Sequence, residues 1–224
     1  MTSYYVSTTG TASGNGTSEN PWGSINQAMS STLQPGDEVI VRPGTYAESV
    51  NISQSGSSSK YITLRSEIPG GAVILPPAGG FNGITIRANY VTVDGFDVSG
   101  SDSHGIVGFD SHHVIVSKNI SHDNAASGVS FAWSDFITIE GNETYGNASS
   151  GWFSGISLYQ NRNITGDTST DGFRNIIRNN VSYDNVTETG AHTDGNGIII
   201  DDFQSTQTAG YPNYTFATLV EGNI

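Results

Sequence analysis

The chain has 224 residues, of which 28 are Gly, and only 13% are charged, against about 25% in an ordinary globular protein. Eight Lys and Arg against 21 Asp and Glu leave a formal charge of −13, which argues against nucleic acid as a partner. No apolar run is long enough to span a membrane, and the absence of Cys excludes disulfide scaffolds, thiolate zinc sites and Cys nucleophiles.

The first segment, residues 1–37, reads as a strand, a loop and a capping helix. Tyr4 to Ser7 is strand-like, and Thr8 to Asn20 is a Gly/Ser/Thr/Asn loop. Ser24 to Leu33 carries Ile25, Ala28, Met29 and Leu33 on a helical stripe, with Ser24 as N-cap, and Pro35-Gly36-Asp37 stops it. Such a helix suits the open end of a stack of strands. Glu38 to Arg42 is then the first strand of a repeat that runs over 38–224.

The repeat shows first in Gly-led apolar segments at Gly83, Gly105, Gly128, Gly155 and Gly197, spaced by 22, 23, 27 and 42 residues. A second set starts at Val91, Val114, Ile137, Asn175 and Thr218. A third places Asn119 and Asn124, Asn142 and Asn147, and Asn180 and Asn185 in pairs five apart, and Asn223 opens a fourth. Three short strands per 22–23 residues predict an all-β solenoid, a single parallel β-helix domain over 1–224 with about seven coils. Strands this short are stable only when each stacks on its equivalent one coil away.

Asn119, Asn142, Asn180 and Asn223 are then expected to form a buried amide ladder, with Phe96 one coil earlier in the same column. The N-x-Ser/Thr matches at Asn119, Asn142 and Asn180 become accidental on that reading. Leu219 to Ile224 begins a further coil and stops, so either more chain follows or the end is covered, for example by end-to-end self-association.

Strand alternation sorts the side chains. Ile84, Ile106, Val129, Ile156 and Ile198 form one inward column, and Ile86, Gly108, Phe131, Leu158 and Ile200 a second. Arg87, Phe109, Ala132, Tyr159 and Asp201 then face out, followed by Ala88, Asp110, Trp133, Gln160 and Asp202. Phe109, Trp133 and Tyr159 thus share one outer face, fit either to stack on sugar rings or to lie under a loop.

Two insertions, 161–172 and 186–195, inflate one coil to 42 residues and bring His192, Asp194, Asp201 and Asp202 beside Tyr159, Gln160 and Arg162. Asp194, Asp201 and Asp202 are candidate calcium ligands or else solvated turn residues, and His192 is a candidate base or else a loop histidine. Arg87 and Arg162 can hold a carboxylate bidentately, and His104 flanks the same face. The expected site is therefore catalytic His192, Tyr159 and Arg162, with Arg87, His104, Phe109, Trp133 and Gln160 for substrate. Lys118 reads as structural, and Arg174 and Arg178 as solvated.

The opening Tyr4-Tyr-Val-Ser, Gly16-Thr-Ser-Glu-Asn-Pro-Trp22, Pro35-Gly-Asp37 and Pro43-Gly-Thr-Tyr46 resembles that of right-handed parallel β-helix proteins of the pectate-lyase-like superfamily. It is especially similar to family 9 polysaccharide lyases and related alginate lyases, and the coil pattern carries the likeness over almost the whole chain. The resemblance implies extracellular or periplasmic work on an acidic, uronate-containing polysaccharide by β-elimination, often with calcium. The family's pectate lyases use a Lys base beside an Asp cluster, and this chain has no Lys in a matching position. Three alternatives stay open: C5-epimerisation of the same polymers, glycoside hydrolysis by Asp carboxylates, and a non-catalytic carbohydrate-binding or structural solenoid.

Overall fold

The computed structural model describes residues 1–187, 194–201 and 210–224. Among them, three parallel sheets run along a tube, and no helix is long and apolar enough to cross a membrane. The first sheet stacks β1 (Ser3–Thr11), β2 (Glu38–Val41), β5 (Ile62–Ser66), β8 (Val91–Asp94), β11 (His112–Ser117), β14 (Asp135–Glu140), β17 (Asn175–Arg178) and β20 (Thr218–Glu221). The second stacks β3 (Gly44–Tyr46), β6 (Ala72–Ile74), β9 (Asp97–Ser99), β12 (Ile120–His122), β15 (Glu143–Tyr145) and β18 (Val181–Tyr183). The third stacks β4 (Val50–Ile52), β7 (Ile84–Ile86), β10 (Ile106–Phe109), β13 (Val129–Ala132), β16 (Ser154–Tyr159) and β19 (Asn196–Asp201). From β2 onward the described residues visit the three sheets in turn, making six coils and the first strand of a seventh, as the repeat predicts.

Each coil sends its alternate residues inward, so the core is a set of columns. Ile84, Ile106, Val129 and Ile156 are fully buried in register, and Ile198 packs at the end of the column. Gly108 lies directly under Phe131 in the neighbouring column, and a methyl group there would collide with the Phe131 ring. The alternation of small and large residues is what admits an aromatic ring to a narrow tube.

The helix α1 (Ile25–Ser30) closes the first end. Ser24 caps it by accepting from Gln27 N, and Ile25, Ala28 and Met29 are buried. Its other free N–H groups go to one carboxylate: Glu48 accepts from Ile25 N at 2.7 Å and Asn26 N at 3.0 Å. An anion at a helix N-terminus is favourable, which ties the cap to the first coil.

The expected ladder is present. Asn119 Oδ1 accepts from Phe96 N at 2.9 Å, and Asn142 Oδ1 accepts from both Asn119 N and Asn119 Nδ2. Asn180 and Asn223 repeat the contact in the next two coils. The spare donor of each amide meets a backbone carbonyl of a preceding coil, as Asn142 Nδ2 does with Val116 O at 2.9 Å. A second ladder runs through Ser101, Asn124, Asn147 and Asn185, the other member of each sequence pair. Since Asn119, Asn142 and Asn180 are buried, the N-x-Ser/Thr matches are by-products of the ladder.

One reading from sequence is corrected. Arg174 is not solvated: it is 5% exposed and donates from Nη1 to the fully buried Asp135 at 2.8 Å. Its guanidinium lies between the rings of Phe136 and Phe216 and holds the carbonyl oxygens of Asp167 and Ser169. Tyr214 Oη donates to the other Asp135 oxygen at 2.6 Å, and burial with that carboxylate raises the Tyr214 pKa. A carboxylate this deep needs full compensation, and two residues far apart in the chain, Arg174 and Tyr214, supply it. Arg178 is half-exposed and paired with Glu140.

Asn142→Ala removes a side chain that closes both directions of the ladder and leaves buried N–H and C=O groups unpaired. We expect it to cost about 3 kcal/mol, read as a lower denaturation midpoint; near-native stability would mean the ladder does not hold that corner.

Candidate functional site

The third sheet carries the candidate site on its outer face. Register puts Phe109, Ala132, Tyr159 and Asp201 in one vertical column, with Arg87 one rung before Phe109. Successive rungs are about 4.8 Å apart. The next residue of three rungs, Asp110, Trp133 and Gln160, has a left-handed backbone, with φ of 48°, 55° and 48°. This shared turn directs the chain out of the strand at the same point in each coil.

A groove of about 660 Å³ runs along this face. Phe109, Trp133 and Tyr159 line it, as do Trp152 and Phe153. Phe109 and Trp133 sit 6.0 Å apart between ring centroids and tilted at 41°, so they are not stacked face to face. Hydrogen bonds set the edge: Trp133 Nε1 donates to Gln160 Oε1 at 3.0 Å, and Gln160 Nε2 donates to the Tyr159 hydroxyl at 3.0 Å. Trp152 is 73% exposed and Phe153 half-buried. Their signal in the sequence is the 27-residue spacing from Gly128 to Gly155, longer than its predecessors.

The charged and titratable lining is sparse. Asp194 and Asp201 line the groove, and His104 is the histidine among its described walls. Burial pushes the His104 pKa down from 6.5 to about 4. Its Nδ1 accepts from Ser127 N at 3.2 Å, and its ring meets Phe153 edge-on. A neutral imidazole whose Nδ1 is an acceptor carries its proton on Nε2, so His104 is a hydrogen-bond donor at neutral pH and not a base. Arg87 is exposed at the margin, with its guanidinium 4.7 Å from the Phe109 ring centroid.

The structure separates Arg162 from this set. Arg162 lies over Trp133 at 5.1 Å and lines a second cavity instead. His192 and Asp202 lie outside the described residues. Among the described residues no three His, Asp or Glu side chains are gathered as a metal site, so Asp194 and Asp201 are the two described members of the expected calcium set. Both offer hard oxygen donors, the type that calcium takes. Lys60 and Lys118 are exposed and line neither cavity.

A family model described as Pel9A-like, right handed beta helix region, matches residues 4–216. Pectate lyase Pel9A is similar at 19% identity and a TM-score of 0.64, with 88% of this chain and 58% of that one covered. An alginate lyase from Paenibacillus sp. str. FPU-7 is similar at 22% identity and 0.59, over 79% of this chain and 61% of that one. A GH136 lacto-N-biosidase from Eubacterium ramulus is similar at 14% and 0.58, over 80% and 41%. The chain thus spans less than two thirds of each of these proteins, and at such identities the likeness is one of fold. A comparison with curated proteins gives no match.

The His104 pKa is lower folded than unfolded, so its contribution to stability is complete above pH 6.5 and is lost as pH falls toward 4. The loss amounts to about 3 kcal/mol. Chemical denaturation across that window is expected to show a shallower pH dependence for His104→Gln than for the parent; equal slopes would mean that His104 titrates normally.

Proposed function

As a member of the Pel9A-like, right-handed β-helix family the chain has a lyase-like scaffold, and we propose that its groove binds a uronate-containing polysaccharide and cleaves it by β-elimination. The observation that carries this reading is one face on which five aromatic rings, Phe109, Trp133, Trp152, Phe153 and Tyr159, meet two carboxylates, Asp194 and Asp201. Rings offer apolar faces to pyranose units, and the polar groups fix their orientation.

Elimination removes H5 of a uronate, breaks the C4–O4 bond and leaves a C4=C5 double bond. H5 goes to a base, and O4 departs with a proton. On this reading His192 is the base, chosen from its sequence position, and the Tyr159 hydroxyl protonates O4. Gln160 orients that hydroxyl by donating to its oxygen, and His104 donates from Nε2 to a sugar oxygen. Arg87 meets a substrate carboxylate at the margin. The polymer is acidic and so are Asp194 and Asp201, so the two repel unless a cation intervenes. Calcium on Asp194, Asp201 and Asp202 would supply that neutralisation and acidify H5. A polymeric substrate of this kind places the protein outside the cytoplasm.

With pectate and alginate as substrates, the parent is expected to form the ultraviolet-absorbing unsaturated uronate, and a chelator to abolish it. Trp152→Ala is expected to raise KM about ten-fold with its melting temperature unchanged, because the ring is exposed. Reducing ends without the chromophore would replace elimination by hydrolysis, a change in C5 configuration without cleavage would make it an epimerase, and binding without turnover would make it a non-catalytic solenoid.

A further inference from the structure

We propose that the second cavity recognises the carboxylate of an acidic sugar through Arg162, so that the polymer site continues past the groove; the inference rests on the uronate reading above. The cavity holds about 460 Å³ and is lined by Asp110, Arg162, Tyr211, Asn213, Thr215 and Phe216, among others.

Three observations converge on Arg162. First, it has no carboxylate partner among the described residues, although acidic side chains outnumber basic ones by 13. Arg65, Arg174 and Arg178 are ion-paired, and Arg42 is hydrogen-bonded to Ser18. Arg162 has ring contacts instead, 5.1 Å from Trp133 and 3.7 Å from Tyr211. Rings on a guanidinium hold its plane and leave its in-plane N–H groups for a ligand, which removes part of the ordering cost of binding.

Second, among the described residues Arg162 Nε is one of five buried side-chain polar atoms without a partner. A buried donor left unpaired is costly, and with Nε shut away the two Nη groups are the ones left to take a carboxylate in a two-bond geometry. Third, Trp133 belongs to both places: it lines the groove and packs against Arg162. A chain that stacks on Trp133 in the groove can place a neighbouring residue in the cavity.

The remaining walls select the class of ligand. Asn213 and Thr215 offer hydroxyl and amide contacts, and Tyr211 and Phe216 offer ring faces. Asp110 shares the cavity and disfavours dense anions such as phosphate or sulfate. One carboxylate on a body rich in hydroxyl groups fits; this is the description of a uronic acid residue.

The test measures affinity for a hexameric uronate in calcium-containing buffer by titration calorimetry, for the parent, Arg162→Gln and Arg162→Lys, each checked for a native melting transition. Both variants are expected to bind at least about ten-fold more weakly, Lys included because it lacks the two-pronged edge. A carboxyl-reduced hexamer is expected to bind all three proteins alike. Unchanged affinity in a folded Arg162→Gln overturns the proposal, and so does an equal loss for the reduced hexamer. If the parent shows no elimination yet these differences appear, the cavity stands and the elimination falls. If Arg162→Gln forms unsaturated product with unchanged KM on long chains, the elimination stands and the cavity falls.

Discussion

The tube depends on a single repeated problem at its corners. Where the chain turns from one sheet to the next, backbone N–H and C=O groups point along the axis and are shut away from water. An asparagine amide answers with both kinds of partner at once. Its oxygen takes the amide hydrogens of the preceding rung, and its nitrogen donates to the next oxygen and to a carbonyl inside the tube. Two such files run through the chain, one from Phe96 to Asn223 and one from Ser101 to Asn185. Each fixes the register of every coil to its neighbour. The outer face inherits that order, so residues separated by 22 to 42 positions become vertical neighbours within a groove.

That same repetition explains what could be read in advance. Ile106, Val129 and Ile156 announce their column because every coil meets the same environment and so carries the same type of residue. Phe109, Tyr159 and Asp201 follow from counting outward along the strand. The second asparagine file is visible as the five-residue pairing, although only the first suggests a ladder without coordinates. The insertions obey no period. Trp152 and Phe153 leave only a lengthened spacing as a trace, and Tyr211 leaves none. Arg174 misled because a charge in a polar stretch is ordinarily solvated. Its partner Asp135 lies 39 residues away and Tyr214 lies 79 from that carboxylate, distances across which no local pattern speaks.

The electrostatics divide the outer face. The groove itself is aromatic and acidic, with a neutral histidine in its wall, while the cations lie at its borders: Arg87 over Phe109 and Arg162 against Trp133. Both borders are arginine on an aromatic ring, and among the described residues neither has a carboxylate to hold it. An anionic chain laid along this face would meet positive charge at each flank and depend on a cation in the middle. The fold alone does not dictate that arrangement, since the same tube serves unlike chemistries; it resides in which rungs carry arginine.

The clasp at Asp135 has a consequence for how the molecule comes into being. Its carboxylate sits at the first position of a strand in the middle of the tube, yet its neutralising guanidinium and phenol arrive much later in synthesis. As the polypeptide emerges, earlier windings can settle one upon another while this corner still harbours an uncompensated anion. Complete consolidation waits for the segment that ends near Phe216, so a truncated product would carry its defect inside and be open to proteolysis. Assembly from the first end is thus checked by a contact that cannot form until the chain has been made as far as Tyr214.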